Sequence, residues 1–116
     1  MRVRNSTAPR VTIITAVRNR AATLARTIES VLAQTWPEVE HVVIDGASSD
    51  GTVEVIRRYA DRLAYWQSEP DRGISDAFNK GLAAARGDCI GLLNADDWLE
   101  ADQVERAVAA LGRSGA

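Results

Sequence analysis

Four short apolar runs alternate with four segments of helical periodicity along the chain, and no other feature restricts its fold as much. Val11 to Val17 (Val-Thr-Ile-Ile-Thr-Ala-Val) is β-branched and compact, as a buried strand requires. From Ala22 to Gln34 the residues Leu24, Ile28, Val31 and Leu32 recur at helical spacing. Trp36-Pro37 ends that pattern, because the residue before proline avoids the helical region. His41 to Ile44 is a second strand and runs into a turn-forming stretch, Asp45-Gly46-Ala47-Ser48-Ser49-Asp50-Gly51-Thr52. Asp50 or Thr52 can cap the next helix, which carries Val53, Val55, Ile56 and Tyr59. Leu63 to Gln67 is a weaker third strand, followed by the polar loop Ser68 to Gly73. A helix from Ser75 to Ala85 then presents Ala77, Phe78, Leu82 and Ala85 on its apolar face, and Gly87 is placed to end it in a left-handed cap. The apolar run that starts at Cys89 is the fourth strand, and Ala101 to Leu111 is a last amphipathic helix.

Such alternation predicts an α/β fold, a Rossmann-like three-layer α/β/α sandwich around a parallel sheet with right-handed crossovers. The expected strand order is 3-2-1-4, which puts the topological switch between strands 1 and 4 and a ligand crevice beyond their C-terminal ends. Thr15, Asp45, Asp71 and Asp96 all fall at that edge. One domain is expected from residue 10 onward, with residues 1–9 a frayed terminus.

The stretch Cys89-Ile-Gly-Leu-Leu-Asn-Ala-Asp-Asp97 ends an apolar run in an acidic cluster. Its shortness and its Gly and Asp boundaries suit a fully buried parallel strand. Carboxylates just past such a strand are hard oxygen ligands suited to Mg²⁺ or Mn²⁺ shared with substrate phosphates. The same residues also suit a polar loop that caps the next helix.

Bulk composition removes several classes of function. With a net charge of −2 and basic residues scattered along the chain, no basic patch for nucleic acid or an anionic membrane forms. Cys89 is the only cysteine, so no intrachain disulfide is available, and a buried strand thiol is its expected role. No stretch approaches the ~18 apolar residues of a membrane span. Gly-x-Gly-x-x-Gly and P-loop patterns are absent, as are Ser-His-Asp, Cys-His and zinc-type arrangements. His41, without a His, Cys or Asp at ligand spacing, reads as structural, and Trp36, Trp66 and Trp98 read as packing residues.

Five segments together resemble the family 2 glycosyltransferases of the GT-A fold. Val11 to Asn19 is similar to that family's first strand and turn, and Ser30-Val-Leu-Ala-Gln-Thr-Trp36 to its first helix end. Val43 to Thr52 resembles its acidic, serine-rich nucleotide loop. Glu69-Pro-Asp-Arg-Gly73 with Asp76-Ala-Phe-Asn-Lys-Gly81, and Leu93-Asn-Ala-Asp-Asp97, complete the set. The resemblance runs from about Val11 to Leu111. It implies inverting transfer of a sugar from a nucleoside diphosphate, a UDP-sugar being the most frequent donor, to a sugar or lipid-linked acceptor.

The same resemblance assigns roles to individual residues. The family's Asp-x-Asp element is Asn94-Ala95-Asp96 here, which makes Asp96 the ligand of Mg²⁺ or Mn²⁺ and Asn94 an uncharged partner that bonds ribose or base. Asp97 contacts the sugar, or caps the following helix. Asp45 meets the nucleoside, Thr15 and Ala16 line the base pocket largely through backbone groups, and Arg72 meets the diphosphate. Asp71 contacts the nucleoside or orients Arg72. The family's tandem Asp-Asp is broken by Gly46. Its general base comes well after the Asp-x-Asp element, so the chain to Ala116 is expected to hold the donor-binding half without the base. An exposed apolar edge at strand 4, leading to self-association, follows from that expectation. A soluble cytoplasmic protein, peripheral at most to the inner face of the membrane, is expected from the lone cysteine and the lack of an apolar span. The alternative is a non-catalytic module that binds nucleotide or nucleotide-sugar. A sugar-phosphate nucleotidylyltransferase ranks lower, since Ala16-Val17-Arg18-Asn19 is not the Gly-rich, basic loop it needs.

Overall fold

Seven residues of β-branched and small apolar character, Val11–Val17, form β1, and all seven are buried at the centre of a parallel sheet. A computed structural model describes residues 9–114, so most of the expected frayed terminus lies outside the described residues. The chain continues through α1 (Leu24–Leu32), β2 (Val39–Asp45), α2 (Thr52–Arg58) and β3 (Tyr65–Ser68), then α3 (Ile74–Ala84), β4 (Cys89–Asn94) and α4 (Gln103–Ser114). The sheet order is β3-β2-β1-β4, every pair parallel, as the alternation predicts.

Crossover handedness explains where the helices lie. The steps from β1 to β2 and from β2 to β3 move in one direction, so α1 and α2 share a face, where Leu24, Ile28, Val55 and Ile56 pack against Val17 and Val43. Val104 of α4 joins Val31 and Leu93 on that face. The return from β3 to β4 runs the other way, and α3 accordingly covers the opposite face through Ala77 against Ile14, Val42 and Ile44. Ile14, Leu24, Ile28 and Ile44 are completely buried. Each such side chain contributes roughly 1.5–3 kcal/mol relative to exposure. No helix among the described residues is long and apolar enough to cross a membrane.

Three local expectations are corrected. Leu82 is 47% exposed, and α3 instead meets the sheet at buried Gly81, where an added Cβ would lie 2.3 Å from Ile14 Cγ2. Gly87 takes no left-handed conformation; Ala85 ends α3 in an extended one. Gly87 is small because its backbone N–H donates to the Thr12 hydroxyl at 2.8 Å, and a Cβ would collide with that same oxygen. Finally, β4 is not fully buried. It forms the sheet edge on a face that α3 covers only over β1 and β2, which leaves Ile90 at 41% and Leu92 at 58% exposure. Cys89 is half-buried there as a free thiol.

Candidate functional site

Parallel register brings the ends of three strands level. Ala16 pairs with both Ile44 and Asn94, and Val17 pairs with Asp45. The loops after β1, β2 and β4 therefore leave the sheet together, at the edge where open α/β sheets bind ligands.

A hydrogen-bond relay joins the first two loops. Asp45 is fully buried and accepts bonds from the Ser48 N–H, the Ser48 hydroxyl and the Ser68 hydroxyl. The Ser48 oxygen in turn accepts the Asn19 N–H at 2.8 Å, and the Asn19 side-chain oxygen accepts the Ser49 N–H at 2.8 Å. Asn19 and Ala47 both sit at positive φ, a geometry that this reciprocal bonding sustains. Asp50 accepts the N–H groups of Thr52 and Ala21, which ties the start of α2 to the neighbouring loop, while Gly51 at positive φ holds the N-cap position. The Thr52 hydroxyl bonded to it holds the Asp50 carboxyl below its ordinary range.

These contacts fix the residues between them at the wall of a cavity of about 390 Å³. Arg18 and Arg20 contribute cationic side chains, Asp71 and Asp96 carboxylates, Asn94 an amide, and Ala16, Ile74 and Ala77 an apolar wall. Of the residues expected at the site, Ala16, Asp71, Asn94 and Asp96 thus meet in one place. Thr15, expected at the base pocket, is instead fully buried within the sheet, its hydroxyl 2.7 Å from His41 Nε2, and does not line the cavity. Asp45 is committed to the serines, and the Asp97 carboxylate accepts the Trp98 N–H at 2.8 Å. Arg72 is exposed beside the cavity without lining it, and the cations at the wall are Arg18 and Arg20. Their place directly after β1 was the available signal, since the switch-point argument covers every residue of that turn. Trp98, 45% exposed, stacks under Arg26 at 3.5 Å.

The acidic loop is held from α1. Thr23 donates to the Ala95 carbonyl at 2.8 Å, Thr27 reaches the carbonyls of Ala95 and Asp97, and Ser30 accepts the Leu99 N–H at 3.1 Å. Gln34 follows on the same side of the helix and bonds Glu100 and Val104. This polar seam sets the height of Asp96, whose own carboxylate makes no hydrogen bond or ion pair with another described residue.

The sequence profile of glycosyl transferase family 2 matches residues 12–116. The chain belongs to that family. An uncharacterised glycosyltransferase of Mycobacterium tuberculosis is 44% identical over 112 residues, which span 95% of this chain and 43% of the relative. The succinoglycan biosynthesis protein ExoO of Rhizobium meliloti is 38% identical over 109 residues, 93% of this chain and 31% of its own length. The chain thus spans less than half the length of the curated relatives it matches. The mannosyltransferase PcManGT of Pyrobaculum calidifontis, solved with GDP-Man and Mn²⁺, superposes with a TM-score of 0.77 at 33% identity. That match covers 88% of this chain and 31% of PcManGT. TarS of S. aureus, solved with UDP-GlcNAc, has a TM-score of 0.82 at 22% identity over 90% of this chain and 31% of its own, a likeness of fold.

The donor set in this family 2 chain fits a shared metal rather than an all-protein cage. Among the described residues no group of three or more His, Cys, Asp or Glu side chains could hold an ion. One unpaired carboxylate, Asp96, with the Asn94 amide beside it, matches the way Mg²⁺ is bound by one or two carboxylates plus substrate phosphates.

Proposed function

We propose that this chain is the donor-binding half of an inverting family 2 glycosyltransferase, taking a nucleoside-diphosphate sugar, a UDP-sugar first, together with Mg²⁺ or Mn²⁺. The observation that carries the reading is that Asp96, Arg18 and Arg20 line one cavity at the switch point of the sheet. The PcManGT structure, which holds GDP-Man and Mn²⁺ in a related fold, supports it.

In this reading the guanidinium groups of Arg18 and Arg20 bind and orient the diphosphate. Asp96, with Asn94, would hold the metal, which when bound supplies Lewis-acid stabilisation of the leaving diphosphate. The acceptor hydroxyl oxygen bonds to the anomeric carbon from the face opposite the diphosphate, and the bond from that carbon to the β-phosphate oxygen breaks. The hydroxyl proton passes to a general base. We assign that base, and the site for a sugar or lipid-linked acceptor, to the portion of the longer relatives that this chain does not span.

Calorimetric titration with UDP, GDP and TDP, each with and without Mn²⁺, tests the proposal. Metal-dependent binding of at least one nucleotide is expected, lost in Asp96→Ala, with little or no sugar transfer by the chain alone. Binding that ignores Mn²⁺, or persists in Asp96→Ala, removes Asp96 as the ligand. Absence of nucleotide binding overturns the function itself.

A further inference from the structure

Lys80 of α3 is held more closely than a surface lysine needs to be. An ammonium has three N–H donors. Three acceptors surround this one: the Glu69 carboxylate at 3.1 Å, the Pro70 carbonyl at 3.1 Å and the Asp76 carboxylate at 3.7 Å. Only 24% of the Lys80 side chain is exposed. Glu69 also accepts the Gln67 side-chain N–H at 2.9 Å, and the Asp76 oxygen that faces Lys80 accepts the Arg72 N–H at 3.0 Å. Lys80 thus joins the end of β3, the loop after it and the first turn of α3 at one point.

The segment between those anchors supplies one wall of the cavity, which Asp71, Gly73 and Ile74 line. At its start the Glu69 N–H donates to the Asp45 carbonyl at 3.0 Å, and further on Asp71 accepts the Gly73 N–H at 3.0 Å. Gly73 has a φ of 114°, and an added Cβ would meet nothing within 4 Å, so neighbouring side chains do not fix this joint. Three carboxylates, Glu69, Asp71 and Asp76, crowd the same short stretch, and the first and last of them pair with Lys80. Like charges so close repel, and Lys80 offsets that repulsion. Such partly exposed pairs add little to global stability, so whatever Lys80 does here is local.

We infer that Lys80 is a positioning residue, which acts through Glu69, Pro70 and Asp76 to set this wall of the cavity before a ligand arrives; its consequence for donor affinity rests on the function proposed above. Three variants test it. Lys80→Met removes the charge and keeps the length, Lys80→Arg keeps charge and donors, and Arg86→Met removes an equal charge just beyond the far end of α3. Amide hydrogen exchange in the ligand-free chain reads the brace directly. The Arg72 and Gly73 N–H groups should exchange severalfold faster in Lys80→Met and at parental rates in Arg86→Met. Tm should stay within about 2 °C of the parent in both. With Mn²⁺ present, UDP should bind roughly fivefold more weakly to Lys80→Met, because a loop that is ordered only on binding costs affinity. Lys80→Arg should return to within about twofold of the parent. Parental exchange rates or unchanged UDP affinity in Lys80→Met, no recovery in Lys80→Arg, or an equal loss in Arg86→Met overturns the inference and leaves donor binding standing. A parent chain that binds no nucleotide overturns the donor function, while the exchange rates still decide the role of Lys80.

Discussion

The Thr27 hydroxyl lies 2.6 Å from the Asp97 carbonyl and 3.0 Å from the Ala95 carbonyl, at a residue with no solvent exposure. A hydroxyl has one proton to give. Thr23 already serves Ala95 at 2.8 Å, which leaves the Thr27 proton for Asp97. Helix α1 therefore pins the loop on both sides of Asp96. Thr27→Val keeps the shape and strips the part-buried Asp97 carbonyl of its donor, at a cost of about 1 kcal/mol. A lower Tm and weaker Mn²⁺-dependent UDP binding are expected, both recovered in Thr27→Ser. A valine variant that matches the parent in melting and titration would show that α1 does not hold the loop.

Much of this arrangement is legible in the sequence, for identifiable reasons. Val11–Val17 has the residue types of a buried strand and nothing to compete with them, and its limits come out as read. The acid that ends strand 4 reaches the cavity because strand ends, not side-chain packing, decide its position. What was not legible depends on contacts between distant segments. Leu82 has helical spacing with Phe78, but the closest approach of α3 to Ile14 falls at Gly81 and rotates Leu82 outward. Arg72 sits in a crevice loop, yet the relay from Asp45 through Ser48 to Asn19 is what brings Arg18 and Arg20 to the wall instead. The burial of Asp45 itself is set by Ser68, 23 residues away.

The cations at the cavity give a direct comparison. Arg18 and Arg20 line it, whereas Arg72 is exposed outside. Replacing Arg18 or Arg20 by Gln should weaken UDP roughly tenfold and flatten the dependence of affinity on salt. Arg72→Gln should stay within about twofold of the parent. The opposite ranking, measured in the same titration series, would return the diphosphate contact to Arg72.

His41 predicts a pH dependence of stability. Burial without a charged partner lowers its pKa from 6.5 to about 3, and Nδ1 has no hydrogen-bond partner among the described residues. Below 6.5 the unfolded chain therefore binds a proton that the folded chain refuses, so stability falls as pH drops toward 3. The slope is about 1.4 kcal/mol per pH unit, hence a loss of roughly 2 kcal/mol between about pH 6.5 and 5, above the range where carboxylates titrate. Urea denaturation at the two pH values should show it in the parent chain. His41→Leu should remove most of the slope, and an equal slope in both proteins would assign it to other groups.

β4 leaves one edge of the sheet open. Ile90 and Leu92 are exposed on a strand with β1 on one side only, next to an apolar groove of about 220 Å³ that includes Leu99 and Leu111. An unpaired parallel edge with large apolar residues offers both backbone bonds and a surface to another chain. The chain should self-associate at roughly tens of micromolar, a range in which edge contacts of this kind become populated. Leu92→Lys places a charge on the bare face without touching the buried Leu93, and should shift sedimentation toward monomer while leaving Tm and UDP affinity near those of the parent. A parent chain that sediments as a clean monomer would mean that the exposed leucine is tolerated in solution. Association unchanged in Leu92→Lys would place the contact elsewhere on the surface.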